Sequence, residues 1–191
     1  VDIDDGYQIA EGDWNTNEYF PGGDADMRHI TDEVHKRGLK AKLWWAPLAA
    51  DPDTKLVKEH PEMLLKTEEW AHEYITWWDS WYLSPVNPAV DAYTTDLLDM
   101  FLRRWNFDGL KIDGQHLNCC LPDYNEASGL ESAYDAPEQM PSYFGKIYEQ
   151  ARAMKPNAVI QVCPCGCAVN YFLIPEINQA VASDPMSSRQ V

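Results

Sequence analysis

Basic residues are scarce in this chain. Fifteen Lys and Arg stand against 31 Asp and Glu in 191 residues, giving a formal net charge of −16. A surface of that sign repels phosphate backbones, so nucleic acid is excluded as a partner held by bulk charge. Long apolar runs are lacking too, and no stretch can span a membrane as a helix. There is no G-x-G-x-x-G, no Walker pattern, no serine-elbow motif and no H-E-x-x-H, so none of those signatures points to a dinucleotide, phosphate, serine-hydrolase or zinc-protease site. Cysteine is sparse and odd in number: Cys119, Cys120, Cys163, Cys165 and Cys167, in two tight clusters unlike a disulfide framework. "CPCGC" lacks the C-x2-C spacing of a zinc knuckle, and buried or site-lining thiols fit better than a metal. Val1 opens directly on "VDIDD" with no basic leader region, which reads as an interior piece of a longer protein, and the compartment is not legible.

Aromatic residues, by contrast, are plentiful, with 8 Trp and 10 Tyr. Such rings either fill a large core or wall a site for ring-shaped ligands such as sugars. The length supports one sizeable core, and no linker divides residues 1–191.

Hydrophobic periodicity alternates between two and 3.6. "VDID", "LKAKLWWAP", "SWYLSP", "GLKID", "NAVIQVC" and "QAVASD" read as strands. "DADMRHITDEVHKRG" places Met27, Ile30, Val34 and, beyond it, Leu39 near helical spacing, with Gly38 as a stop. "NPAVDAYTTDLLDMFLRRW" is the clearest helix, with Pro88 in its first turn and Val90, Tyr93, Leu97, Leu98, Phe101 and Leu102 on one face. A long polar loop is expected over about 114–139, and a helix over "MPSYFGKIYEQARAMKP" that ends before Pro156. Short helical turns are expected at "DTKLVKEHPEMLL" and "IPEIN".

That alternation predicts an α/β fold with a parallel sheet. Polar or site-type residues stand at the C-terminal ends of its strands: Asp4 and Asp5, Trp44 and Trp45, Lys111 and Asp113, Cys163, and Asp184. Sites assembled from several strand ends are the habit of a (β/α)8 barrel rather than of a doubly wound sheet.

Lys111 and Asp113 are two apart on one strand and therefore share a face. A neighbouring ammonium favours an ionised carboxylate, which suits a nucleophile; a plain ion pair at the strand's rim is the alternative. Asp4 and Asp5 point to opposite sides if the strand continues, so one can enter a site while the other braces the loop; turn chemistry before Gly6 is the alternative. Asp184, before Pro185, is either a turn starter or the second carboxylate that glycoside hydrolysis requires. His29 reads as a surface or packing residue, and His35, His60, His72 and His116 show no partner constellation.

In order, "DIDDGYQIAEGDW", "FPGG", "VHKRGLKAKLWWAPL", "FDGLKIDG", "QVCPCG" and "VASDP" resemble the α-galactosidase group of glycoside hydrolase families 27 and 36, closest to the melibiase-like family 36. The resemblance implies a retaining glycosidase acting on galactose-containing oligosaccharides, without a cofactor. The chain would be an incomplete catalytic barrel, about strands two to six, expected to be poorly stable by itself and a possible homo-oligomer only when intact. It implies Asp113 as nucleophile and Asp184 as acid/base. Asp4 and Asp5 would bind the 4- and 6-hydroxyls, Lys111 the 3- and 4-hydroxyls, and Trp44 would wall the sugar. Cys163 and the backbone near Gly166 would lie beside the 2-hydroxyl. Departures from the pattern are "KIDGQ" for "KWDMN", Gln161 and Val162 for "ES", and the lack of an arginine before "NP". They bear on the 6-position and the aglycone. Galactosyl transfer, another α-glycoside such as an N-acetylgalactosaminide, and a non-catalytic sugar-binding relative are the alternatives.

Overall fold

A computed structural model describes residues 1–165 and 167–181. The chain runs β1 (Asp2–Ile3), β2 (Gln8–Ala10), β3 (Asp13–Thr16), α1 (Asp24–Lys36), β4 (Lys42–Trp45), β5 (Ala49–Ala50), α2 (Lys55–Glu59), β6 (Tyr74–Ile75), β7 (Ser80–Tyr82), α3 (Pro88–Asp99), β8 (Gly109–Asp113), α4 (Asp135–Met154), β9 (Val159–Cys163) and β10 (Gln179–Ala180). The six strands expected from the sequence form, mostly shorter than their apolar runs. The start of "QAVASD" makes β10, and its residues from 182 lie outside the described ones.

Five strands make one parallel sheet in the order β1-β4-β8-β9-β10. Spatial order follows chain order with no reversal among these strands. Repeated right-handed crossovers in one direction set the connecting helices on one face. Register then sorts the side chains. Leu43, Trp45, Leu110, Ile112, Ile160 and Val162 are all buried on the helix side. Trp45 meets Phe101 there, with ring centroids 5.7 Å apart, so of the two tryptophans at this strand end only Trp44 faces the other side. That other face carries Lys42, Trp44, Lys111, Asp113 and Gln161.

β8 and β9 come close because residue 109 is glycine. A Cβ there would stand 2.3 Å from the Val159 carbonyl oxygen.

Helix α1 buries Met27 and Thr31, and the Thr31 hydroxyl donates to the Trp105 carbonyl at 2.6 Å. Leu39, read as part of the apolar pattern, is half exposed. Helix α3 begins as its sequence predicts. Pro88 occupies the first position, and the Asn87 side chain accepts from the Ala89 N–H at 2.9 Å. It ends in a π-helical turn, Met100–Arg104, that keeps Phe101 and Leu102 buried. Helix α4 starts five residues before the expected Met140 and carries Pro141 inside it. The N–H that Pro141 lacks would bond in the first turn, around Pro137, and burial of Ala136, Met140, Phe144 and Ile147 along one stripe outweighs that loss.

Two antiparallel additions sit on this frame: the β2–β3 hairpin and a three-stranded sheet in the order β5-β7-β6. The expected loop over 114–139 is pinned rather than open. Buried Asp123 accepts the N–H groups of Lys66 and Asn125, and Asn125 Nδ2 donates to the Leu64 carbonyl at 2.8 Å.

Candidate active site

The strand pairing places Trp44 beside Lys111 and Asp113 beside Cys163. Paired residues of a parallel sheet share a face, so these four side chains converge at the C-terminal edge of β4, β8 and β9. Asp4 joins them from the end of β1. Its two carboxylate oxygens accept from Lys111 Nζ at 3.1 and 2.9 Å.

The ammonium that the spacing sets beside Asp113 is attracted to it by charge, while its hydrogen bonds go to Asp4. Burial opposes the charge on Lys111, yet Asp4, then Asp113 and Cys163, more than offset it, and its pKa is raised. The ammonium therefore persists at any ordinary working pH.

Asp113 is oriented by two other donors. Trp44 Nε1–H donates to Oδ2 at 2.8 Å, and Cys165 Sγ lies 3.0 Å from Oδ1 as donor. Trp44 is 2% exposed. Trp14 and Trp78 pack on it with centroids 6.1 Å away each. What Trp44 offers is thus an N–H held in place by packing, not the open ring face expected of a sugar wall. Asp5 turns away from this group and accepts from Gln8 Nε2 at 2.7 Å, bracing the loop into β2. Cys163 is buried at the end of β9, and its carbonyl accepts the Gly114 N–H at 2.9 Å. Gly114 adopts φ +132°, and a Cβ there would collide with His116 and Trp78. Asp184 and Gly166 lie outside the described residues.

Sequence reading took the "CPCGC" thiols as buried or site-lining without singling out Cys165, saw no partners for His116, and missed Trp78 and Glu73. His116 has partners after all: its Nε2 lies 2.7 Å from the Pro47 carbonyl, and its ring stands edge-on to Trp78 and Tyr82 at 5.2 and 5.5 Å. A carbonyl only accepts, so Nε2 carries the proton. Burial lowers the His116 pKa to about 4, against the pull of the Pro47 carbonyl and Asp113, and the ring is neutral near pH 7. His35 likewise has a partner, with Nε2 2.6 Å from Asp108 Oδ2, while His29 is exposed as expected. No local pattern could have announced these contacts, because each joins segments more than thirty residues apart.

A hollow of about 510 Å³ lies at the opposite, N-terminal end of the strands, against Lys42, Asp108, Gly109 and Val159. Its charged groups are committed: Asp108 to His35 and Lys40, and Lys42 to Gln161 and Asp2. The reactive-type groups cluster at the other end, where barrel enzymes build their sites.

Comparison with known proteins shows the family. An A type blood α-D-galactosamine galactosaminidase from Flavonifractor plautii is 28% identical over 198 residues, covering all of this chain and 18% of that protein. The α-galactosidase Mel36A of Lactobacillus acidophilus is 40% identical over 55 residues, covering 28% of this chain and 7% of that one. Among solved structures, the Thermus thermophilus α-galactosidase TtGalA in complex with stachyose superposes with a TM-score of 0.71 at 25% identity, over 94% of this chain and 35% of that chain. The Lactobacillus brevis α-galactosidase gives a TM-score of 0.79 at 22% identity, over 99% and 26%. The chain therefore spans about a third or less of the length of these proteins. The melibiase family model matches residues 3–188, and the chain belongs to that family.

Proposed function

We propose that this chain carries the nucleophile half of a retaining α-glycosidase site that releases terminal α-linked galactose from oligosaccharides. The observation that supports this best is Asp113 at the end of β8, gripped by the Trp44 N–H, with the Lys111–Asp4 pair beside it. In this reading residues 1–191 form one incomplete catalytic domain, about strands two to six of a (β/α)8 barrel.

The chemistry has two displacements. A carboxylate oxygen of Asp113 attacks the anomeric carbon as its bond to the leaving oxygen breaks, and Asp184 gives its proton to that oxygen. A glycosyl ester on Asp113 results. Asp184, now ionised, takes a proton from water, whose oxygen attacks the same carbon and restores the Asp113 carboxylate. Lys111 and Asp4 hold sugar hydroxyls, and Cys163 with the backbone near Gly166 lies by the 2-hydroxyl. Asp5 reaches substrate only if its bond to Gln8 opens.

The test is Asp113→Asn in the intact protein with p-nitrophenyl α-D-galactopyranoside. A loss of at least a thousandfold in kcat with an unchanged melting curve is expected. Retention of turnover would remove Asp113 from the chemistry, whereas galactose binding without turnover in the parent protein would leave a sugar-binding module. A second reading, an α-galactosaminidase, is favoured by the relative that matches across the whole chain. Comparing turnover of nitrophenyl α-galactoside and α-galactosaminide separates the two.

A further inference from the structure

The two oxygens of Asp113 stand in unlike surroundings. Oδ2 meets the Trp44 N–H at 2.8 Å, on a buried ring closed in by Trp14 and Trp78. Those three indoles leave a sugar no way to Oδ2 from their side. Oδ1 lies 3.0 Å from the Sγ of Cys165, a half-buried residue, so it is the oxygen on the more open side. Strand β9 ends at Cys163, paired with Asp113, and two residues beyond it the Cys165 thiol meets the carboxylate. Cys165 adopts φ +47°, in the left-handed region that residues other than glycine seldom enter. Local preference does not choose that conformation, so the surrounding fold aims this thiol.

We propose that Cys165 is a positioning residue that divides the work of the two oxygens. Oδ1 attacks the anomeric carbon, Oδ2 stays as the carbonyl oxygen of the glycosyl ester, and the thiol makes Asp113 the better leaving group in the second displacement. The inference rests on Asp113 being the nucleophile and goes beyond that reading by naming the reacting atom and what stands on it.

The two donors act at different moments. In the first displacement Oδ1 gives an electron pair to the anomeric carbon. The glycosidic bond breaks with its pair going to the leaving oxygen, which the acid protonates. Oδ1 is then an uncharged ester oxygen and a poor acceptor, so the bond from the thiol is lost. Oδ2 keeps the Trp44 N–H throughout, because carboxylate and ester carbonyl both accept. In the second displacement the oxygen of water bonds to the carbon, its proton goes to the partner carboxylate, and the C–Oδ1 pair returns to Oδ1. A donor aimed at Oδ1 stabilises that returning charge. The same donor opposes the first attack, since it favours the free carboxylate. A thiol is a weak donor, so it holds Oδ1 in place at little cost to that first step. Sulfur keeps its proton from start to finish.

Cys165→Ala in the intact protein separates the two steps. With p-nitrophenyl α-D-galactopyranoside at saturation, rapid quench and mass spectrometry read the ratio of esterified to free Asp113. That ratio should rise roughly tenfold over the parent's. Both kcat and KM should fall together, while kcat/KM stays level or rises. Cys165→Ser, which keeps a donor, should bring the ratio back toward the parent's. The same rise is required of Cys165→Gly, which removes the thiol at a φ that suits glycine, so a misfolded alanine variant would not shield the idea. An unchanged ratio, no ester in the donor-free variants, or a lower kcat/KM without excess ester, as a purely structural role would give, overturns the proposal. The two readings fail separately. Ester on Asp113 in a ratio indifferent to residue 165 sinks this inference alone, whereas full turnover by Asp113→Asn sinks the nucleophile reading itself.

Discussion

The indole N–H of Trp44 and the Oδ2 atom of Asp113 meet at 2.8 Å across neighbouring strands. Parallel pairing sets this contact. Trp44 stands opposite Lys111, so its ring reaches along the edge toward the next inward residue of β8, which is Asp113.

Trp44→Phe should therefore keep the packing with Trp14 and Trp78 and remove only the donor. A hydrogen bond to a charged group contributes about 1.5–3 kcal/mol. If that orientation matters in the transition state, kcat/KM on nitrophenyl α-galactoside should fall roughly 10- to 100-fold. Most of the fall should be in kcat, with a melting temperature within a few degrees of the parent. A fall confined to KM would mean that Trp44 shapes binding instead.

Lys111 and Asp4 form an ion pair whose two members differ in exposure, Lys111 at 20% and Asp4 at 55%. With one partner that open, the pair should add less than about 1 kcal/mol to stability. A double-mutant cycle with Lys111→Met and Asp4→Asn should show small coupling in unfolding. Each single change should nevertheless raise KM for galactosides by an order of magnitude or more, since both groups are proposed to hold sugar hydroxyls. Large coupling in stability with unaltered KM would make this a structural rim pair.

Gly109→Ala tests the β8–β9 contact. The added Cβ would lie 2.3 Å from a backbone oxygen, which cannot rotate away as a side chain can. The ladder has to separate, and the change should cost several kcal/mol, above the usual range of about 1–3 kcal/mol for overpacking. Loss of soluble protein or a markedly lower unfolding midpoint is the expected result, and a parent-like midpoint would show that the two strands can part freely.

Glu73 makes stability depend on pH. Its carboxyl holds a proton up to about pH 7 when folded, against 4.5 as its ordinary value, chiefly through burial. The folded state thus binds more protons between those values, and stability is lost as pH rises from 4.5 through 7. Glu73→Gln removes that loss. Its melting temperature relative to the parent should climb across the window and level off above about pH 7, by about 2–4 °C for each 1 kcal/mol relieved. His116, lowered to about 4, acts in the opposite direction, losing stability as pH falls below 6.5, but it is common to both proteins and cancels in the difference. A difference flat from about pH 4.5 to 8 would place Glu73 in water.

Much of the frame was legible from local pattern. The period-two runs around Leu43, Leu110 and Ile160 and the Asn87–Pro88 start of α3 depend on residues close in sequence, and nearest-neighbour chemistry specifies them. The ordered motifs also marked Asp4, Trp44, Lys111, Asp113 and Cys163 before any of them could be placed in space. The early start of α4 was not legible. Proline inside a helix is locally unfavourable, and only the burial of Ala136 and Met140 against other elements overcomes that local preference.

The sequence alone determined which groups exist and which strand ends they stand on, because alternation along a strand is a property of the backbone. Only the tertiary structure decided the pairings. Lys111 goes to Asp4, 107 residues away, rather than to Asp113 two residues away; Trp44 presents its N–H rather than its face; and Glu73 and His116, on segments 43 residues apart, close one cavity. Each outcome depends on register between strands and on what else is buried nearby. Those distances come into being only when the sheet forms.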